Sequence, residues 1–396
     1  MKKLFKVFIL LLVAVLTLNL AACGGGKESF KVGLICLHDE SSTYDKNFID
    51  SMYRAIEELG LEKSQLELVT GIKEDNTCYE KASELAQTCD IVFADSFGHE
   101  DYMIQAAEEN QDVWFCHSTG TKAHTKNLDN YFNAFASIYE GRYLAGITAG
   151  MKLNEMIEKG TITADQAVMG YVGAFPYAEV VSGYTSFYLG AKSVCPSVTM
   201  KVRYTSSWYD YDKEKSAAEA LIQTDKCVLI SQHADSYGAP EACESLGVPN
   251  VAYNGSTASK CPETYLIASK IDWTPYYVEM IKAKMEGKEV TEKDYTGSLA
   301  TGSVKIDVLG KNVAEGTQEA LDAAIAGLKA GTIHVFDTNN FTVGGQKLES
   351  YKADVDDFGD YQPETEVISN GYFHESEYRS APYFDIRIDG ITELNK

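Results

Sequence analysis

The chain has 396 residues, with 58 Asp and Glu against 35 Lys and Arg, a formal charge of -23. So acidic a surface argues against nucleic acid and anionic lipid faces as partners. An apolar fraction of 45% with 25 tyrosines argues against disorder, and a mature body of about 370 residues exceeds one core and suffices for two domains.

Lys2, Lys3 and Lys6 precede an apolar stretch over residues 8–18, and Leu20-Ala21-Ala22-Cys23 follows. A positive start, an apolar middle and small residues before a cut site make a secretory leader. The Cys placed directly after them resembles the lipobox at which bacterial lipoproteins are cleaved and diacylated. Residues 1–22 are therefore expected to be removed, which takes away three lysines and no acid and moves the charge to -26. Cys23 would carry the lipid, and residues 23–29, beginning with Gly24-Gly25-Gly26 after the Cys, form a flexible tether. Several acyl chains on one residue hold a protein firmly at a membrane. No later run approaches the roughly 20 apolar residues of a spanning helix. The remaining cysteines, Cys36, Cys78, Cys89, Cys116, Cys195, Cys227, Cys243 and Cys261, include no C-x-x-C pair. Zinc and thioredoxin-like chemistry are thus not indicated, and spacing leaves disulfide pairing open.

From Ser29 onward, strand and helix patterns alternate, as in parallel α/β sheets. Residues 31–37 read as a strand, 38–47 as a polar loop, and 48–61 as a helix with Ile49, Met52, Tyr53 and Ile56 on one face. A strand over 65–70 and a helix through Glu84 come next, then strands ending at Ala94 and covering 113–116. Residues 132–153 read as one long helix, containing Tyr139-Glu140-Gly141-Arg142-Tyr143 and leading toward a second lobe. There, 167–174 is a strand, 177–190 a helix and 199–204 a strand. A short strand over 265–268 precedes Trp273 and a helix through Lys284; 318–329 is a helix and 334–336 a strand. The remainder is acidic and aromatic without clear period. The expected division is 30–150 with about 254–295 as one lobe, about 151–253 with about 296–345 as the other, and 346–396 as an acidic extension.

One unit occurs twice. Ile91-Val92-Phe93-Ala94 runs into Asp95-Ser96-Phe97-Gly98, and Leu229-Ile230 runs through Ser231 to Ala234 into Asp235-Ser236-Tyr237-Gly238. Similar helices precede both copies and similar strands follow them. A separation of about 140 residues is far beyond solenoid periods and suggests two like lobes. The two Asp-Ser turns are expected to face one another across a cleft.

Ligands of open α/β sheets bind beyond the carboxyl ends of the strands. Those ends offer His38-Asp39-Glu40 with Tyr44 and Asp45, then Asp95-Ser96-Phe97, then His117-Ser118-Thr119. The second half offers Phe175-Pro176-Tyr177 with Glu179, Trp208 and Asp210, His233 with Asp235-Ser236, and Tyr253-Asn254. Aromatics beside oxygen acceptors suit a flat, partly apolar ligand with several hydrogen-bond donors. Helix capping by Asp95 and Asp235, and core packing by Trp208 and Phe48, are the competing explanations. No H-E-x-x-H, G-x-S-x-G, P-loop or G-x-G-x-x-G is present, so neither metal nor cofactor nor catalysis is indicated.

The lipobox, Asp45-x-x-Phe48, Asp95-Ser96-Phe97-Gly98, Gly170-Tyr171-Val172-Gly173-Ala174-Phe175-Pro176 and Trp208-x-Asp210-x-x-Lys213 resemble motifs of the basic membrane protein family. Gln232-His233-Ala234-Asp235-Ser236 and Asp272-Trp273-Thr274-Pro275-Tyr276-Tyr277 resemble its later motifs. The resemblance implies a lipid-anchored substrate-binding component of an ABC importer, with permease and ATPase partners. It also implies a type I periplasmic-binding-protein fold, two Rossmann-like lobes joined by three crossovers. Characterised members bind purine nucleosides or bases. By position, Phe48 would stack on the base, Asp95 and Asp235 would accept from the ligand, and Trp208 would wall the pocket, with Trp273 also in a family motif. Ile49 stands where nucleoside-binding members often carry Asn, and Lys270 is out of step with their ribose-binding lysine. A sensory binding protein of the same fold and a surface nucleoside hydrolase remain the alternatives.

Overall fold

The computed structural model describes residues 30–355 and 362–395. The leader, Cys23 and the tether lie outside the described residues.

Short runs of buried apolar residues form the strands, as expected when helices cover both faces of a parallel sheet. In the first lobe β1 (Val32–Ile35), β2 (Leu66–Val69), β3 (Ile91–Ala94), β4 (Trp114–Ser118) and β5 (Tyr131–Ala136) alternate with helices α1 (Thr43–Glu58), α2 (Asn76–Leu85), α3 (Glu100–Glu109) and the short α4 (Ala123–Lys126). The long α5 (Ile138–Glu158) then carries the chain onto the second lobe. That lobe is built from β6 (Val168–Gly173), α6 (Ala178–Val194), β7 (Thr199–Tyr204), α7 (Tyr211–Gln223), β8 (Leu229–His233), α8 (Gly238–Leu246), β9 (Asn250–Tyr253) and β10 (Tyr265–Ile271). Next come α9 (Thr274–Glu286), β11 (Asp294–Gly297), β12 (Val304–Ile306) and α10 (Thr317–Lys329). The first sheet has the order β11-β5-β4-β3-β1-β2, and every pairing in it is parallel. The second begins β12-β10-β9-β8-β6-β7, with β12 antiparallel at its edge. Helices α5 and α6 approach closely because glycines face each other: a Cβ on Gly146 would lie 2.0 Å from the Phe187 carbonyl, and one on Gly190 2.0 Å from that of Tyr143.

Three sequence expectations change here. The helix expected from residue 48 begins at Thr43, because Ser42 caps it by accepting from the Asp45 amide. The long helix expected over 132–153 is a strand followed by a helix. Residues 131–136 are all buried and pair with β4 and β11, and a continuous apolar run carries no period to separate the two. Residues 334–336 form no strand; Phe336 instead stacks on Phe384 with centroids 4.3 Å apart.

Sheet membership places the chain crossings at Ser137 and at Asp272–Trp273, rather than near 150 and 254, and over 298–303, close to the expected 295. Strand β10, expected in the first lobe, pairs with β9 in the second. The crossings are tied together: Ser137 N donates to the Gly297 carbonyl and Asp272 N to that of Ser303, each at 2.7 Å. Asp272 also receives Arg54 (3.1 Å) from α1 and Lys305 from β12.

The C-terminal segment folds back onto both lobes. Its short antiparallel pairs, β13 (Lys352–Ala353) with β14 (Thr365–Glu366) and β15 (Ile368–Ser369) with β16 (Tyr372–Phe373), precede β17 (Ile391–Glu393), which joins the second sheet beside β7. His124 of the first lobe contacts the Val355 carbonyl at 2.9 Å, and Ser380 Oγ donates to Asp294 Oδ1 at 2.8 Å. Glu375 accepts from Ser182 on α6. The eight cysteines after Cys23 are free and buried.

Candidate binding site

The carboxyl ends of both sheets face a narrow pocket lined by Leu37, His38, Tyr44, Asp45, Ser96, Phe97, Thr119, Glu179, Trp208, His233, Asp235 and Tyr253. The lobes touch around it. Thr43 donates to the Asp235 carbonyl through both its amide and its hydroxyl, each at 3.0 Å. His38 faces Tyr209 (5.3 Å between centroids), and Phe97 faces Tyr177 (5.9 Å). Positive φ angles recur at strand ends here: Thr119 at 70°, Ser206 at 55° and Asn254 at 65°. A β-branched residue such as Thr rarely adopts this conformation, and such strain tends to collect at functional sites.

On the first-lobe wall, the start of α1 presents Tyr44 and Asp45. The Asp45 carboxylate accepts from the His38 amide (2.7 Å) and the Ser42 hydroxyl. Burial opposes its charge, but the bonds from His38 and Ser42 outweigh burial and lower its pKa. Asp95 lies behind it. The Leu37 amide donates to Asp95 Oδ1 at 3.1 Å, Tyr44 Oη donates to its carbonyl at 2.7 Å, and Oδ2 is buried without a partner. Burial, and then the neighbouring Asp45, push the Asp95 carboxyl well above the usual range. Donor atoms of Cys36, Asp45 and Asp95 lie within 4.8 Å of one another, spacing that could hold a metal ion. A proton shared by the two carboxyls also satisfies it, with no thiolate required.

On the second-lobe wall, Asp235 follows β8 and faces the pocket. Asn254 Nδ2 donates to its Oδ1 at 3.2 Å. Burial, then Glu214, Asp45 and Glu179, push the Asp235 carboxyl well up. The turn behind it is held by Glu214 of α7, which accepts from the Ser236 amide (3.1 and 3.2 Å) and the Asp210 amide (3.0 Å). Burial raises Glu214 to about 7. Neither Asp95 nor Asp235 caps its helix; no side-chain cap bond forms at the helical turns that follow.

Of the residues singled out from sequence, Tyr44, Asp45, Ser96, Phe97, Glu179, Trp208, His233 and Asp235 line the pocket. Asn254 stands behind Asp235. Phe175 and Tyr177 stack on each other (5.1 Å), and Phe175 meets Trp208 edge-on (5.2 Å), so this pair buttresses the Trp208 wall. Phe48 and Trp273 do not line the pocket. They stack on each other at 4.4 Å with 0% and 2% exposure, because α1 turns Phe48 inward between Tyr44 and the start of α9. Lys270 pairs with Asp307 at 2.6 Å, away from the pocket. His38, Thr119 and Tyr253 are lining residues visible from sequence only as strand-end positions, and Leu37 carried no signal.

The lining combines three carboxyl groups, two histidines and four further aromatic side chains, Tyr44, Phe97, Trp208 and Tyr253, and includes no Lys or Arg. Such a surface accepts N–H and O–H donors and stacks on flat groups, while it repels anions.

A sequence profile of the Bmp family, the PnrA-like ABC transporter substrate-binding proteins, matches residues 32–333. The chain is 30% identical over 358 residues to a purine-binding protein of Brucella abortus, covering 85% of this chain and 96% of that one. It is 36% identical over 234 residues to a Haloferax volcanii protein named as a candidate ABC transporter glucose-binding protein; the match spans 59% of this chain and 56% of the relative. An ABC transporter solute-binding protein from Aeropyrum pernix K1 superposes with a TM-score of 0.64 at 15% identity, covering 78% of this chain and 93% of that one. Two parallel-sheet lobes with three crossings are the type I periplasmic-binding-protein architecture. Among the described residues no helix is long and apolar enough to cross a membrane. The chain belongs to the Bmp family of ABC transporter substrate-binding proteins, and its role is to bind a solute.

Proposed function

We infer that this chain is a lipid-anchored receptor, tethered at Cys23 on the extracytoplasmic face of a membrane, that closes its two lobes on a purine nucleoside or purine base. The closed receptor delivers that solute to a permease driven by a separate ATPase. The observation that carries the reading is the pocket itself: Asp45, Glu179 and Asp235 converge beside Trp208, Phe97 and Tyr44 with no cation among the lining residues. Purines offer a flat face and ring or amino N–H donors, and a ribose adds hydroxyl donors. The Brucella relative, named as purine-binding, supports the same assignment.

A sugar is the second reading, because hydroxyls also donate to carboxylates and sugar faces also stack on indole rings; the Haloferax relative favours it. Ligand binding raises stability by RT ln(1 + [L]/Kd). Thermal unfolding of the mature chain with adenosine, guanosine, adenine, ribose and glucose therefore separates the two. A rise with a purine compound and none with glucose is expected. A rise with glucose alone overturns the purine assignment and leaves the solute-binding role standing.

A further inference from the structure

Arg142, on α5, is fully buried at 0% exposure. One terminal nitrogen donates to the Ala252 carbonyl (3.4 Å) and Ser269 Oγ (3.3 Å), and the other to Tyr171 Oη (3.2 Å) and Ser231 Oγ (2.7 Å). The rings of Tyr171, Phe187 and Tyr253 surround it, with centroids 5.5, 5.0 and 5.1 Å from Cζ. No carboxylate is among these partners, and Nε is buried without one. A buried guanidinium lacking a counter-ion is unfavourable against an apolar side chain of similar size. Its contacts lead toward the ligand.

Tyr171 accepts from Arg142, which leaves its own hydroxyl hydrogen to donate, and His233 Nδ1 is within reach at 3.4 Å. A ring nitrogen that accepts carries no proton, so the ring hydrogen sits on Nε2, which faces Glu179 Oε1 at 3.3 Å. Gly183 on α6 makes room for this ring, since a Cβ there would lie 2.6 Å from Nδ1. His233 also lies 4.4 Å from Tyr253, whose ring separates Arg142 from the pocket. The groups facing His233 are thus Arg142 from α5, Tyr171 from β6, Glu179 from α6 and Tyr253 from β9. Burial lowers the proton affinity of the imidazole; the Glu179 contact opposes that and Arg142 reinforces it.

We propose that Arg142 is a positioning residue for the ligand pocket: acting through Tyr171, it holds His233 as the Nε2–H tautomer, and that ring aims the Glu179 carboxylate at the ligand. The remaining Glu179 lone pairs then accept one N–H or O–H donor. This proposal rests on the pocket being the solute site and specifies what the second-lobe wall recognises, a donor group and not an anion.

The relay is read directly in the ligand-free, full mature protein by long-range proton–nitrogen correlation of ¹⁵N-histidine, with His233→Gln identifying the signal. A single Nε2–H tautomer is expected in the parent protein and a mixed or reversed one in Tyr171→Phe, which keeps the ring and removes only the hydroxyl. Adenosine affinity should fall by roughly threefold to tenfold in Tyr171→Phe, the loss of one net hydrogen bond. An Nδ1–H tautomer in the parent protein, or an unchanged tautomer in Tyr171→Phe, overturns the proposal. If the tautomer behaves as expected but adenosine does not bind the parent protein, the relay stands and the purine reading fails. Arg142→Met should shift the His233 tautomer as Tyr171→Phe does, and an unchanged tautomer there overturns the role of Arg142; if that variant does not fold, Arg142→Lys is read in the same way.

Discussion

The two Asp-Ser turns are alike in sequence and local geometry and differ in what they present. In each, a Glu reaches back to grip the turn. Glu74 Oε1 accepts from Ser96 Oγ (2.6 Å) and the Gly98 amide (2.8 Å), and Glu214 accepts from the Ser236 amide. In each, the glycine permits a close approach: a Cβ on Gly98 would lie 2.6 Å from Glu74, and one on Gly238 2.3 Å from the Tyr211 carbonyl. Yet Asp95 is turned away beneath Tyr44 and Asp45, whereas Asp235 lines the pocket. Conversely Phe97 lines the pocket, whereas Tyr237 is taken up by Lys260, 3.8 Å over its ring. The repeat specifies a backbone; the layer packed against it decides which side chain meets the ligand. On the first-lobe wall α1 starts early and supplies Asp45 in place of Asp95.

The largest effect that sharpens this contrast concerns aromatic residues. Phe48→Ala should destabilise the protein by about 3–5 kcal/mol, as for a large buried aromatic truncation, read by denaturant unfolding. Trp208→Ala should leave stability closer to that of the parent and weaken ligand binding by about 1–3 kcal/mol, the range for loss of a stacking face. If Phe48→Ala folds normally and only binding suffers, the assignment of Phe48 to the core is wrong.

Next come the acids. Asp235→Asn should reduce affinity by roughly 10- to 100-fold, about 1.5–3 kcal/mol, because donors on the ligand favour the ionised carboxylate and draw it down from its raised ligand-free value, whereas Asp95→Asn should change affinity little. Calorimetric titration of both variants compares the two turns directly. Because the Asp95 carboxyl is pushed above its ordinary 3.8 by burial, the folded protein holds that proton more tightly than the unfolded chain. Its contribution to stability is therefore full below 3.8 and is lost as pH rises through the folded value.

Glu214 behaves in the same direction over a defined window. Its ordinary value is 4.5 and burial raises it to about 7, so its contribution is present below 4.5 and declines as pH climbs to about 7. The melting temperature of Glu214→Gln should decline less than that of the parent across that interval; parallel curves would contradict the raised value. The smallest expected change is Thr43→Val, which removes the hydroxyl bond to the Asp235 carbonyl across the cleft. A loss of about 0.5–1.5 kcal/mol of closed-state stability should appear as a few-fold weaker affinity.

Much of this arrangement was legible in the sequence because strand–helix alternation and strand-end chemistry are local signals. Two like α/β lobes follow from apolar runs such as Ile91–Ala94 and from the repeated turn; the type I assignment came only with the family resemblance, which the family match bears out. All the lining residues except Leu37 stood among the strand ends picked out on the rule that ligands gather at strand carboxyl ends, and eight of them were singled out as site candidates. Four features escaped. Residues 131–136 have no period because both faces of β5 are buried. Phe48 and Trp273 sit in family motifs, but only tertiary packing shows that they stack on each other. The lobe crossings depend on strand pairing between distant segments, such as β10 with β9, which no local pattern reveals. Among its described residues the C-terminal segment carries only strands of two or three residues, too short to show a period, and it docks to both lobes, as at Ser380 with Asp294 and β17 with β7.

The central claim is that the acidic, aromatic pocket between the lobes binds a purine compound through Asp235. Isothermal titration of adenosine, guanosine and adenine into the mature parent protein and into Asp235→Asn tests it most directly. The expected result is saturable one-to-one binding of at least one of them to the parent and a 10- to 100-fold weaker constant in the variant. No binding of any of the three up to millimolar concentration, or equal binding by both proteins, would contradict it.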